Sequence, residues 1–289
     1  MSLDTIKILH LEPSDVCQAA CPQCARETDI SFNKDTHHHL SVSDIKRLVP
    51  ENTIVNLEKM FMCGNYGDPA ANKDSLNIFS YFREVNPNIV LGMNTNGGLQ
   101  NTHWWTDVAK VLCNQPDYVV FSIDGLGDTN HIYRQNVSWN LVMRNAEAFI
   151  NAGGNAQWDM LVYEHNEHQV DECEKLARSM GFKWFRAKVS KRPSNVEWLK
   201  QPKGWKSPIV ESTNIVCSAQ LEESIYIDAR GDTYQCCWLG LSDNTIDKMP
   251  EIQRSWNTNN CNPTCKSACG TRDNKNSFTN QWQRETQLC

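Results

Sequence analysis

From Ile6 to Lys188 the chain alternates short apolar runs with amphipathic stretches. The runs Ile6–Glu12, Lys59–Cys63, Ile89–Asn94, Tyr118–Ile123, Trp158–Val162 and Trp184–Lys188 are rich in aliphatic and aromatic residues, as strands are. Between them, Ser41–Val49, Lys73–Glu84, Thr102–Cys113, Trp139–Ala152 and Asn166–Met180 carry helical periodicity. Ser41 followed three residues later by Asp44 predicts a capped helix start. Gly153-Gly154 and Gly181 predict helix ends. Regular strand–helix alternation predicts a parallel sheet with outer helices. Right-handed crossovers curl such a sheet into a barrel or part of one, with functional groups at the C-terminal strand ends.

The texture changes between Pro193 and Pro208, which is rich in Pro and Lys and weakly periodic. A linker is expected there, dividing an α/β unit at 1–192 from a smaller unit at 209–289. The second unit opens with a hairpin pattern over Ser224–Cys236, turning at Ala229-Arg230-Gly231-Asp232. The remainder of the chain is loop-rich and cysteine-rich.

Composition narrows the class. A net charge of −6 with scattered Lys and Arg argues against a dedicated nucleic-acid grip. No run approaches a membrane-spanning length, and the first residues lack the order of a signal peptide, so a cytoplasmic protein without a membrane partner is expected. Thirteen cysteines, an odd number, read in a reducing compartment as metal or redox sites. Three lie within eight residues near the start and seven between Cys217 and Cys289. The isolated Cys63, Cys113 and Cys173 are expected to be small buried hydrophobes. His37-His38-His39 reads as a solvated loop, since adjacent side chains do not converge on a metal unaided.

The first group is Cys17-x3-Cys21-x2-Cys24, directly after the first strand. Pro22 argues against one helical face. Zinc needs a fourth nearby ligand, and a disulfide leaves one thiol over. A four-iron cluster needs one ligand per iron, so three thiols leave one iron open to a small chelating molecule. This spacing after strand one resembles the signature of the radical S-adenosylmethionine (SAM) superfamily. The sequence departs from it at Gln23, where relatives usually carry an aromatic residue.

Later strand ends share the resemblance. Cys63-Gly-Asn-Tyr-Gly67-Asp68-Pro69 is similar to the family's Gly-Gly-Glu-Pro loop, with Asp68 for Glu. Thr95-Asn96-Gly97 matches its Thr-Asn-Gly ending, and Ser122-Ile-Asp124-Gly matches Ser-x-Asp-Gly. The resemblance implies that Gly67, Asp68, Thr95, Asn96, Ser122, Asp124 and Arg134 bind SAM. Ser122 and Arg134 would hold its carboxylate, a task that suits a guanidinium fork. Asn166 is a further polar candidate.

Cys217-x13-Gly231-x4-Cys236 resembles the opening of SPASM and twitch domains, which hold auxiliary four-iron clusters. Cys261-x3-Cys265-x3-Cys269 then returns thiols to the region, although a full SPASM set needs one more cysteine. Three readings stay open. One cluster could use Cys217, Cys236 and two of Cys261, Cys265 and Cys269. Two clusters could recruit Cys289 and Cys237. A structural zinc fits the same spacing.

The fold class expected is therefore a partial (β/α)6 TIM-like barrel of the radical SAM type, followed by a small SPASM/twitch domain. The resemblance implies reductive cleavage of SAM to a 5′-deoxyadenosyl radical, hydrogen abstraction from a peptide or small molecule, and an auxiliary cluster as electron acceptor. It also implies a flavodoxin- or ferredoxin-type donor. No catalytic side chain is assigned. No leader-recruiting segment precedes the first strand, which points to a small molecule or to a peptide presented by a separate partner. A non-catalytic iron–sulfur carrier, or a zinc-stabilised binding module, would explain the cysteines without the strand-end motifs.

Overall fold

The structure, a computed structural model, describes residues 5–190, 196–203, 215–239, 249–256, 258, 260–269 and 284–287. Six strands fall where the apolar runs predict: β1 (Ile8–Leu11), β2 (Lys59–Met62), β3 (Val90–Thr95), β4 (Tyr118–Ser122), β5 (Ala156–Val162) and β6 (Trp184–Val189). Between them stand the short α1 (Ala25–Thr28), then α2 (Val42–Leu48), α3 (Glu51–Asn56), α4 (Ser75–Val85), α5 (Thr102–Val111), α6 (Asn130–Tyr133), α7 (Trp139–Asn151) and α8 (Val170–Met180). The Ser41–Asp44 capping box forms in both directions, and Gly181 ends α8 in the left-handed region at φ 90°.

β1 to β6 pair in parallel in sequence order. β7 (Ser224–Ile227) pairs parallel with β1, matching Leu11 to Ile227, and β8 (Thr233–Tyr234) pairs antiparallel with β7. β9 (Arg284–Gln287) lies antiparallel on β6. The expected hairpin is thus present, and its first strand extends the barrel sheet. The C-terminal part of the chain adds α9 (Ser218–Leu221), α10 (Met249–Ser255) and α11 (Pro263–Cys269). Half of the expected linker, and Cys289, lie outside the described residues. Within 196–203 the chain is tied down: Leu199 is buried, and the Glu164 amide donates to the Lys200 carbonyl at 3.0 Å.

Alternation divides each strand between two faces. On β5, Trp158 and Met160 are fully buried, and Trp158 packs on Phe182 and Phe185. Gln157, Asp159 and Leu161 face the other way, into the barrel. On β6, Phe185, Ala187 and Val189 are buried, while Trp184, Arg186 and Lys188 alternate with them and are half-buried. The outer layer is rich in aromatic residues: Phe79, Phe82, Trp105, Phe121 and Phe149 are all fully buried. At roughly 25 cal/mol per Å², each large side chain buried here contributes on the order of 2–3 kcal/mol.

The expectation for isolated cysteines needs correction. Cys173 is buried, Cys63 is half-buried and Cys113 is exposed. The buried stripe of α5 runs through Trp105, Val108, Ala109 and Leu112. Cys113 falls one residue past that stripe, on the solvent side. Among the described residues, no helix is long and apolar enough to cross a membrane.

Candidate active site at the barrel mouth

Cys17, Cys21 and Cys24 lie on the loop between β1 and α1, and none forms a disulfide. Pro22 sits in a turn, as its ring requires. Each thiol meets a residue from the segment that follows a different later strand: Asn65 after β2, Asn96 after β3 and Arg134, the C-cap of α6, after β4. The Asn96 amide donates to Cys17 Sγ at 3.6 Å, the Arg134 guanidinium donates to Cys21 Sγ at 3.6 Å, and Cys24 Sγ donates to the Asn65 carbonyl at 3.6 Å. The Ala19 amide also reaches Cys17 Sγ at 3.4 Å. Burial pushes the Cys17 thiol up to about 12, with Asp68 adding to the effect, and burial likewise pushes Cys21 up. Deprotonating Cys17 and Cys21 therefore calls for a positive centre beside them.

Two buried carboxylates hold two of these partners, Asn96 and Arg134. Asp68 accepts from the Ala70 amide at 2.9 Å, from Thr95 Oγ1 at 2.8 Å, and from both the backbone and side-chain amides of Asn96 at 2.8 Å. Its oxygens are thus taken up by the chain itself, and burial pushes its carboxyl up despite these bonds. Gln18 completes the Asn96 network at 2.7 Å. Asp124 accepts from Arg134 Nε at 2.7 Å and from the Leu161 amide at 2.6 Å. Burial works against the Arg134 charge, but Asp124 and Cys21 beside it hold the guanidinium above its ordinary value. Asn166, fully buried, joins the Asp124 and Leu161 carbonyls, both at 2.8 Å, and so braces the same corner. Ser122 ends β4, half-buried, with Asp159 opposite it in register.

The loop after β2 is locked to the cysteine loop. The Asp68 amide donates to the Val16 carbonyl at 2.9 Å. A Cβ on Gly67 would lie 1.9 Å from the Ser14 carbonyl oxygen, so only glycine fits there. Glu12, at the end of β1, accepts from the Tyr66 amide at 2.6 Å, the Gly67 amide at 2.9 Å and the Tyr226 hydroxyl. Burial raises its carboxyl to about 7. Sequence reasoning missed Glu12, Gln18 and Asn65. The available signal for Glu12 was an acidic residue closing an otherwise apolar strand.

Gln23 is buried, and its Oε1 accepts from the Tyr163 hydroxyl at 2.6 Å. Tyr163 stacks between Tyr133 and His165, with centroids 5.1 and 5.6 Å away. An aromatic ring from the β5 end thus stands against the position where relatives carry their own. In the histidine run, His37 and His39 are exposed, while His38 Nδ1 lies 2.7 Å from Asp15 Oδ2.

The second cysteine group also assembles. Cys217 packs with Cys236, Ile252 and Trp256, and the Val216 amide donates to the Cys269 carbonyl at 3.1 Å. A hydrogen bond from Cys217 lowers the Cys269 thiol to about 6, while burial raises Cys265 to about 11. Cys265 interacts electrostatically with Cys269, Cys236 and Cys261, so these thiols share one neighbourhood. Cys237 instead interacts with Cys63 and Glu12 as well as Cys236. The Asn65 side-chain amide donates to the Cys237 carbonyl at 2.8 Å. Among the described residues, no three His, Cys, Asp or Glu side chains close on a single metal ion. A four-iron cluster distributes its ligands over separate irons, so its thiols need not meet at one point.

A family model described as Radical SAM superfamily matches residues 11–178. A comparison with curated protein sequences gives no match. Among solved structures, Streptococcus suis SuiB bound to S-adenosylmethionine aligns with TM-score 0.62 and 15% identity over 91% of this chain and 68% of that one. SuiB bound to the precursor peptide SuiA aligns at TM-score 0.60 and 13% identity, over 88% and 65%. anSMEcpe with bound AdoMet and the Cp18Cys peptide aligns at TM-score 0.60 and 14% identity, over 94% and 83%.

Proposed function

Because the chain belongs to the radical SAM superfamily, we propose that it is an oxidoreductase that cleaves SAM reductively and abstracts hydrogen from a bound substrate. The observation that carries this reading is the ring around the thiols: Cys17, Cys21 and Cys24 each touch a residue from the segment after a different strand. A simple electron carrier has no need for such a ring. A [4Fe-4S] cluster with SAM, once reduced by a flavodoxin- or ferredoxin-type donor, supplies a 5′-deoxyadenosyl radical.

The residues fit that load. Cys17, Cys21 and Cys24 are free thiols and would hold the cluster, whose remaining open position would suit SAM. Arg134, aimed by Asp124, and Ser122 hold the SAM carboxylate. Asp68 positions Thr95 and Asn96 through its hydrogen bonds, so carbonyls of the Gly64–Gly67 loop are the better acceptors for the SAM amine.

The second thiol group supports an auxiliary cluster on Cys217 and Cys236, with two of Cys261, Cys265 and Cys269 supplying the rest. Held there, such a cluster would supply an electron acceptor, which would make the reaction an oxidation. The substrate is a peptide or a small molecule. The likeness to SuiB with SuiA and to anSMEcpe with its peptide favours the peptide. Oxygen-sensitive chemistry of this kind suits a reducing cytoplasm.

The test is anaerobic reconstitution followed by metal analysis and SAM turnover. About eight irons per chain are expected, about four for each cluster, and zinc in place of iron sinks the proposal. Dithionite-reduced protein should release 5′-deoxyadenosine. Cys17→Ala, Cys21→Ala and Cys24→Ala should each abolish that release, and retained cleavage in all three would refute the assignment.

A further inference from the structure

Asn94 stands on the inner face of β3, two residues before Asn96, whose amide touches Cys17. Its chain neighbours Met93 and Thr95 are buried on the other face. Also on the inner face, Gly92 lies so close to the Tyr118 ring that a Cβ on it would come within 2.4 Å. Asn94 itself is half-buried. Among the described residues its side chain makes no hydrogen bond, and its Oδ1 is buried. By contrast, Asn72, Asn96 and Asn166 all use their amides on the chain. A buried amide without a partner costs stability, and a ligand that pairs with it removes that cost.

His10 faces the same space from β1. Its ring lies between Phe61, stacked at 4.5 Å, and Tyr226, tilted at 4.8 Å. Its Nε2 is 2.8 Å from the Cys63 carbonyl, which can only accept, so Nε2 carries the proton. Burial lowers His10 to about 4, and the ring is neutral at ordinary pH. Nδ1 is therefore an acceptor, and among the described residues nothing donates to it. Cys63 directly follows Met62, which pairs with Met93, so the His10 ring reaches to within one strand of Asn94. The charged groups of the inner face lie apart from this pair. Asp159, Arg186 and Lys188 stand on β5 and β6, and Lys59 lies over the Phe61 and Tyr118 rings.

A secondary amide carries one acceptor, its carbonyl, and one donor, its N–H. We propose that Asn94 and His10 form the subsite for an uncharged secondary amide of the substrate, with Asn94 donating to its carbonyl and His10 accepting from its N–H. The soft χ2 torsion of asparagine lets its amide turn to the ligand, while stacking holds the imidazole in place. Two residues of strand, about 7 Å, separate Asn94 from Asn96, so the amide is held one step below the thiols. This deepens the functional reading by naming a peptide-backbone unit, and it rests on that reading only in identifying the amide's owner as substrate.

The experiment uses the reconstituted holoenzyme with SAM and without reductant. It is titrated calorimetrically with N-acetylglycine methylamide and, separately, with the matching diester, methyl acetoxyacetate. The diester keeps both carbonyls and lacks both N–H groups. Wild type should bind the diamide about tenfold more tightly than the diester. Asn94→Leu should weaken both probes by about tenfold. His10→Phe keeps a ring between Phe61 and Tyr226 and should weaken only the diamide, erasing the preference. Asn94→Leu should also unfold no earlier than wild type on heating, because an unpaired buried amide gives way to an apolar group. No binding of the diamide to wild type overturns the proposal, as does equal affinity of wild type for the two probes. Unchanged diamide affinity in Asn94→Leu overturns it too. An equal loss of both probes in His10→Phe, or a lower Tm in Asn94→Leu, would mark a structural role and likewise overturn it. A wild type that releases 5′-deoxyadenosine on reduction yet binds no diamide refutes the subsite alone. Diamide binding that depends on Asn94, in a protein that releases no 5′-deoxyadenosine, retains the subsite and refutes the reaction instead.

Discussion

Replacing Glu12 by Gln should stabilise the protein at alkaline pH. Glu12 is 1% exposed. One of its oxygens accepts from two backbone amides, and the other meets the Tyr226 hydroxyl. Burial raises its carboxyl from 4.5 to about 7. The folded state therefore holds this proton more tightly than the unfolded chain does. The associated stability is fully present below pH 4.5 and is lost as pH rises through about 7. A rise of this size corresponds to about 3 kcal/mol, at about 1.4 kcal/mol per pH unit. Glutamine keeps an oxygen for the two amides and can donate its NH2 to Tyr226, whose hydroxyl turns to accept. Glu12→Gln should thus resemble the protonated wild type at every pH. Anaerobic thermal unfolding of the reconstituted protein between pH 5 and pH 8 tests this. Wild type should lose stability across the range and Glu12→Gln should lose much less, with a gain at pH 8 of roughly 2–4 °C per kcal/mol. Glu12→Ala should behave oppositely, because it strands the Tyr66 and Gly67 amides at about 1–3 kcal/mol each. An unchanged pH slope in Glu12→Gln, or a lower Tm than wild type at pH 8, would refute the reasoning.

Gly67→Ala should fail to load the first cluster, since its Cβ would meet the Ser14 carbonyl at 1.9 Å; normal iron content in the variant would contradict this. Asp124→Asn should lower SAM cleavage by about 10- to 100-fold with iron content unchanged, because it weakens the hold on Arg134 at 2.7 Å; unaltered turnover would remove Arg134 from the site. Tyr163→Phe should cost about 1–3 kcal/mol in urea unfolding, because it leaves the buried Gln23 oxygen without this donor; no change would mean another donor replaces it. Cys113→Ser should leave both stability and iron content unchanged, given its exposure, and any iron loss would show it to be a ligand.

Features set by near neighbours in sequence were legible in the sequence. Alternation placed β1 to β6 within about two residues, and the Ser41–Asp44 pair gave the start of α2. Helices α1, α3 and α6 were not legible, since four to six residues are too few to show a helical period. The alternation of Ser224–Ile227 showed a strand but not its partner, which is β1, more than two hundred residues earlier. Glu12 was hidden for the same reason: its partners are 54, 55 and 214 residues away. The cysteine spacing and strand-end motifs identified the candidate site residues, because local sequence carries them. The roles of Asp68 and Asp124 as positioning groups emerged only when distant loops came together.

That distance dependence says how the site is held. The cysteine loop contains no regular structure longer than the four residues of α1. Fixing such a segment costs about 1–2 kcal/mol per residue in backbone entropy, and the loop contributes few bonds of its own to offset that. The offset comes from outside: Val16 is tied to Asp68, Ala20 to Gln135 and Asp15 to His38 through backbone bonds. Asp68 and Gln135 belong to other parts of the barrel, and His38 to the far end of the same β1–α2 connection. The spacing of the thiols is therefore a property of the folded sheet and its loops, not of the motif that names them. Asn65 extends the same constraint to the second cysteine group. Its carbonyl receives the Cys24 thiol, and its side chain donates to the Cys237 carbonyl, beside Cys236. With β7 also paired to β1, the two groups of thiols are positioned by one sheet and one asparagine. A displacement of the β7–β8 hairpin would thus be felt at Cys24 through a single residue.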